Sequence, residues 1–171
     1  MLRSESKFKE LQAILNRDNN LLITEAIGFL REEQPFEGAI SLLVACYERT
    51  GEESIRKTIE GFMNDLKDPS ACPEIINEIK KPWKIDTINM LVSSCWQSGL
   101  NYSEYSTDLA AAFIKGNYIT AFECLTVIEE TVSDLSRKQK DAILSVFEQG
   151  NVPAKNEKYM LVQELISVLK R

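Results

Sequence analysis

Cys72 stands in the stretch SACPE, directly before a helix-forming run, where amide donors and the helix dipole lower a thiol's pKa. A nucleophilic cysteine also needs a base, and the usual one is missing because the chain contains no histidine. Serine triads and most metal sites lose the same residue. Local geometry is then a sufficient account of a Cys-Pro step at a helix entrance. The paired carboxylates, Glu32 with Glu33 and Glu129 with Glu130, are the other candidates for acid/base work. Adjacent residues on a helix diverge by about 100°, so neither pair converges on one substrate atom, and both read as solvent-facing charge. The seven glycines are scattered through turns and helix ends and form no phosphate-binding loop. Cys46, Cys72, Cys95 and Cys124 follow one another at 26, 23 and 29 residues, which matches no zinc or CxxC pattern. Three of them lie in helical patterns as small core residues, and a reducing cytoplasm is the simplest setting. The expectation is a non-catalytic chain with no cofactor and no metal.

Binding residues are easier to find. The net charge is -6, but residues 86–136 carry the single base Lys115 among seven acids. Such a block repels a nucleic-acid backbone and attracts a basic protein surface; as a solvated face it also keeps the chain soluble. The basic residues Arg137, Lys138, Lys140, Lys155 and Lys158 are interleaved with acids and make no groove-like footprint. Trp96 precedes the polar connection QSGLNYSEYS with Tyr102 and Tyr105. Trp and Tyr make good binding anchors because each joins a large apolar area to a polar tip, and the tyrosines are the more open to a surface role. Trp83, between Pro82 and Lys84, reads as a lid on the core. No run approaches the roughly 18 to 20 apolar residues of a membrane span, and MLRSESKFKELQAILN does not resemble a secretory signal.

The elements that must position these residues are helical. In GEESIRKTIEGFMNDLKD, Ile55, Ile59, Phe62, Met63 and Leu66 share one face, and Thr50 with Glu53 offers a capping box. The preceding PFEGAISLLVACYERT repeats the pattern with Phe36, Ile40, Leu43, Val44 and Tyr47, and Pro35 suits a first helical turn. Together they form a helix A, a short turn and a helix B. The same unit recurs as KFKELQAIL with NLLITEAIGFLREE, CPEIINEIKK with KIDTINMLVSSCWQ, DLAAAFIK with NYITAFECLTVIEETVSDL, and KQKDAILSVFEQ with NEKYMLVQELISVLKR. Pro82, Gly116 and the Gly150 to Pro153 segment mark turns, and Ser136 with Gln139 opens the fifth unit. Aligning the B helices on Ile27, Ile59, Ile88 and Phe122 gives separations of 32, 29 and 34 residues, the near-period of a stacked array. The last helix, with Leu161, Val162, Leu165, Ile166, Val168 and Leu169, suits either a buried end or a self-association surface.

This pattern resembles the HEAT-like and armadillo-type helical repeat families over nearly the whole chain. The best local match is LLVACYERTGEESIRKTIEGF with its Ile55-Arg56 step; elsewhere Asp86 follows Ile85 and Thr120 follows Ile119, so the arginine is replaced. The resemblance implies a single all-α domain over residues 1–171, an αα-superhelix of about five helix pairs. An irregular multi-helix bundle is the structural alternative. It also implies that B helices line a concave, partner-binding face. The residues after each central apolar position, Gly28, Glu60, Asn89 and Glu123, would then face a protein or peptide, basic or amide-rich. The same families include DNA-repair and lyase enzymes, and a purely structural, self-assembling role is the third alternative.

Overall fold

The computed structural model describes residues 4–17, 19–32 and 36–170. Pro35 and Glu33, given roles above, lie outside them. Ten α-helices run through the described residues: α1 (Glu5–Leu15), α2 (Asn20–Glu32), α3 (Ala39–Arg49), α4 (Glu53–Asn64), α5 (Ala71–Ile79), α6 (Ile85–Gln97), α7 (Ser106–Lys115), α8 (Tyr118–Thr131), α9 (Arg137–Gly150) and α10 (Tyr159–Leu169). Short 3-10 turns occupy Ser103–Tyr105 and Val132–Asp134. Odd-numbered helices form layer A, each touching the next, and even-numbered helices form layer B in the same way. Every odd helix also packs on the even helix that follows it. The result is an all-α, two-layer arrangement of five pairs.

Hydrophobic periodicity explains the layers. The stripes of α3 and α4 are buried at every position expected, from Phe36 and Leu43 to Ile59, Met63 and Leu66. Helices of 9 to 14 residues are marginal alone in water, so they stand because each covers the stripe of its neighbours. Helix ends obey local chemistry. Ser136 and Gln139 form the expected capping box on α9, and Asn117 caps α8 by accepting from the Thr120 amide at 2.9 Å. The expected box on α4 does not form: the Thr50 hydroxyl accepts from the Glu52 amide at 3.1 Å, and Glu52 itself precedes the helix. A threonine in the turn satisfied the nearer amide first.

Polar bonds clip each pair to the next with the spacing of the repeat. Asn20 donates to Glu52 at 3.2 Å, Arg31 to Asp65 at 2.8 Å, Asn64 to Gln97 at 2.8 Å and Asn101 to Asp134 at 2.9 Å. These partners are 32, 34, 33 and 33 residues apart. The last pair is held by a buried lysine. Lys158 Nζ donates to the carbonyls of Phe113, Ile114 and Gly116 at 3.1, 2.7 and 2.9 Å, closing the carboxyl end of α7. Burial pushes the Lys158 pKa down, and the three acceptors compensate the ammonium.

One expectation about phase is corrected. Ile27, Ile59 and Ile88 are buried, whereas Phe122 is 50% exposed and Ala121 takes the inner position. Helix α8 is apolar nearly all round and packs against α6, α7 and α10, so the close approach selects the small residue and turns the large one outward.

Two glycines make opposite demands. Gly28 lies inside α2 with open space where a Cβ would stand, so Gly28→Ala should raise stability by about 0.5–1 kcal/mol. Gly38 has φ +91° and a Cβ there would meet the Phe8 ring at 2.8 Å, so Gly38→Ala should lower it by about 1–3 kcal/mol. Urea unfolding midpoints of the two variants, read against the parent, check both signs. Lys158→Met should cost about 2–4 kcal/mol in the same experiment, because it strands carbonyls that no water reaches freely.

Candidate functional site: an acidic depression on the B helices

Helices α4, α6 and α8 lie side by side in layer B, and their outward faces enclose a depression of about 600 Å³. Its lining includes Glu60 from α4, Asn89 from α6 and Glu123 from α8, so three residues chosen on repeat phase do converge. Gly28 is exposed on α2 but lies outside this lining.

The lining carries Glu53, Glu60, Asp86 and Glu123 against a single cation, Arg56. The Arg56 guanidinium sits 4.1 Å from the centre of the Tyr47 ring, a cation–π contact that holds it at the wall. Tyr47 in turn donates its hydroxyl to Glu60 Oε1 at 2.6 Å. Burial, and then the bond to Glu60, push the Tyr47 pKa up, so this hydroxyl keeps its proton and fixes the carboxylate. Asp86 acts on Arg56 through space from the facing helix. At the far wall Trp96 Nε1 donates to Glu123 Oε2 at 2.5 Å, which aims that carboxylate across α6. Thr120 donates to Asn89 at 2.5 Å and sets the register between α6 and α8.

The floor is therefore built from fixed hydrogen-bonded pairs, while Glu60 Oε2, Glu123 Oε1 and Asp86 have no bonded partner among the described residues. A cation or amide donor is the chemistry such oxygens accept. No family model, curated protein or solved structure matches the chain. The site is argued from its own geometry.

The aromatic candidates divide. Trp96 is half-buried, packed against the core and engaged with Glu123 at the rim. Tyr105 is half-buried and meets Tyr102 edge-on, with ring centres 6.4 Å apart. Tyr102 is 1% exposed, which corrects its expected surface role. Its ring fills the space beneath the α6–α7 connection, and its hydroxyl lies beside the Cys72 and Cys95 thiols, where burial pushes its pKa well up. The polar loop residues around it hide a core residue. Trp83 is half-buried and donates to Glu78 at 3.1 Å, a carboxylate that also pairs with Lys81 at 2.5 Å.

Sequence reasoning misses Tyr47 and Arg56 as site residues, although both are visible in it. Tyr47 reads as core, which it is, but its hydroxyl reaches the depression. Arg56 and Asp86 read as a motif and its departure; in the fold the two positions are not equivalent, since Ile55 is buried and Ile85 exposed, yet both residues line the depression and Asp86 acts on Arg56 through space.

All four thiols are free and buried, and burial pushes each pKa up. For Cys72 this overrides the helix entrance and leaves a neutral thiol. Among the described residues no group of three or more potential ligands is placed to hold a metal, and no helix is long and apolar enough to cross a membrane. Ellman's reagent should find negligible rapid thiol reactivity in the native protein and four reactive thiols in denaturant. Fast native labelling of Cys72 would revive it as a chemical site.

Proposed function

We propose that this chain is a non-catalytic helical-repeat module, of the HEAT-like kind, that binds another protein or a peptide on the outer face of layer B. One observation carries the proposal. Every large apolar side chain left exposed among the described residues sits on a B helix: Leu21, Leu22 and Phe29 on α2, Ile85 on α6, Tyr118, Ile119 and Phe122 on α8, and Met160 on α10. Among those residues layer A exposes none. A solvated scaffold has no reason to segregate its uncovered apolar area to one layer, whereas a binding face gains from it.

The ordered pairing of helices supports an αα-superhelix, in which such a face is preformed and binding need not order it. Its charge supports a protein over a nucleic acid, because four acids surround one arginine where a phosphate backbone would have to lie. The absence of histidine and the neutral thiols favour capture over catalysis. Along α10, Leu161, Val162, Leu165 and Leu169 are buried, Ile166 and Val168 are half-buried and Met160 is exposed, so most of the stripe is used in packing and less of it is free for self-assembly.

The test is comparative affinity capture with two folded variants. One carries Glu60→Lys, Asn89→Lys and Glu123→Lys on layer B, and the other carries charge reversals at exposed positions of layer A, Lys9→Glu and Lys138→Glu. Circular dichroism verifies that both are folded. A partner retained by the parent and the layer A variant but lost by the layer B variant is the expected result. Loss only in the layer A variant overturns the proposal.

A further inference from the structure

The exposed apolar residues and the acidic depression meet at two places in the sequence. Ile85 is exposed and the next residue, Asp86, lines the depression; Phe122 is exposed and the next residue, Glu123, lines it too. Adjacent Cα atoms are about 3.8 Å apart, and on a helix their side chains diverge by about 100°. An apolar surface and an acidic one therefore share a border on both α6 and α8. The Thr120–Asn89 bond holds the two helices in one register, and the Glu123–Trp96 bond sets Phe122 and Glu123 beside the later turns of α6, so the Ile85–Asp86 and Phe122–Glu123 borders lie toward opposite ends of the depression. Tyr118, Ile119 and Met160 extend the apolar side across α8 and onto the start of α10.

We infer that the partner presents one contiguous segment in which apolar side chains adjoin a lysine or arginine. The apolar residues cover Ile85, Ile119 and Phe122, and the cation enters the depression among Glu60, Asp86 and Glu123. This rests on the layer B reading proposed above and names the chemistry that face selects.

Charge complementarity is the ground for choosing this occupant. The depression has four carboxylates and one guanidinium, and that guanidinium is already stacked on Tyr47 and placed near Asp86. An entering cation finds carboxylate oxygens without bonded partners, while an entering carboxylate meets carboxylates that repel it. The apolar border supplies what a bare acidic patch lacks, because exposed ion pairs alone contribute little affinity. An anionic lipid surface has apolar depth but the wrong charge. The remaining alternative occupant is a second copy, whose Arg137 and Lys138 at the start of α9 are exposed.

The experiment pans a linear phage-displayed library of short random peptides on the full chain, then measures synthesised winners by fluorescence anisotropy. Two variants are compared with the parent after circular dichroism: Ile119→Ser with Phe122→Ser, and Asp86→Asn with Glu123→Gln. The change Glu123→Gln keeps an acceptor oxygen for Trp96, so its effect reads charge and not folding. The expected winners combine Leu, Ile or Phe with adjacent Lys or Arg. They weaken about tenfold or more on each variant. They also weaken as salt rises from about 0.05 to about 0.5 M.

Winners that are neutral or acidic, and that weaken only on the apolar variant, overturn this inference and leave the layer B reading standing. Winners unaffected by either variant overturn both. Failure to enrich any peptide above an unrelated protein overturns the inference. So does concentration-dependent dimerisation in light scattering that is abolished by Phe122→Ser, since a second copy is then the occupant.

Discussion

Short amphipathic helices with apolar stripes too wide for one partner are the constraint on which this molecule depends. Helix α4 buries Ile55, Ile59, Phe62 and Met63, and it does so against α2 and α6 as well as α3. Remove either neighbour in its layer and part of that stripe meets water. The stack is thus cooperative through nearest neighbours, and stability accumulates along it pair by pair. The polar clips between pairs, at separations near the repeat length, add register to this non-directional attraction. Arg31 with Asp65 and Asn64 with Gln97 contribute little energy at an exposed rim, yet they oppose a slip of one helix turn.

The same constraint gives the B face its character. A stacking layer must devote two sides of each helix to its neighbours and one to the other layer, leaving a single side free. On A helices that side is polar. On the B helices it alternates between exposed apolar residues and the acidic depression, and the depression owes its shape to buried groups behind it. Tyr47 is anchored in the core and reaches outward to fix Glu60, while Trp96 packs on the core and fixes Glu123. Rigid backing of this kind preorganises a shallow surface, as the proposed binding role requires.

The buried polar residues divide along the same line. Lys158 is satisfied by three carbonyls at the end of α7, and Glu78 by Ser41, Lys81 and Trp83; both serve the packing of pairs and lie outside the depression. Tyr102 and the cysteines beside it fill the interior between α5, α6 and α8, where burial suppresses ionisation. Residue types that suggest chemistry in the sequence serve structure here. The residues at the depression offer charge and shape.

Helix existence, the pairing of A and B, and the approximate repeat follow from the sequence alone, because a 3.6-residue apolar period and Gly or Pro turns are local signals. Glu60 and Asn89 are legible for the same reason, as positions one step past a buried residue; Glu123 reaches the depression although the Phe122 before it is exposed. What local signals leave open is rotation and depth. Helix α8 is apolar on most sides, so only its packing against α6, α7 and α10 decides that Ala121 goes in and Phe122 comes out. The loop around Tyr102 is polar by composition, and only the space beneath the α6–α7 turn decides that its ring is core. Arg56 becomes a site residue through the Tyr47 ring from α3 and the charge of Asp86 from α6. Those are relations between distant segments, and they exist once the pairs have stacked.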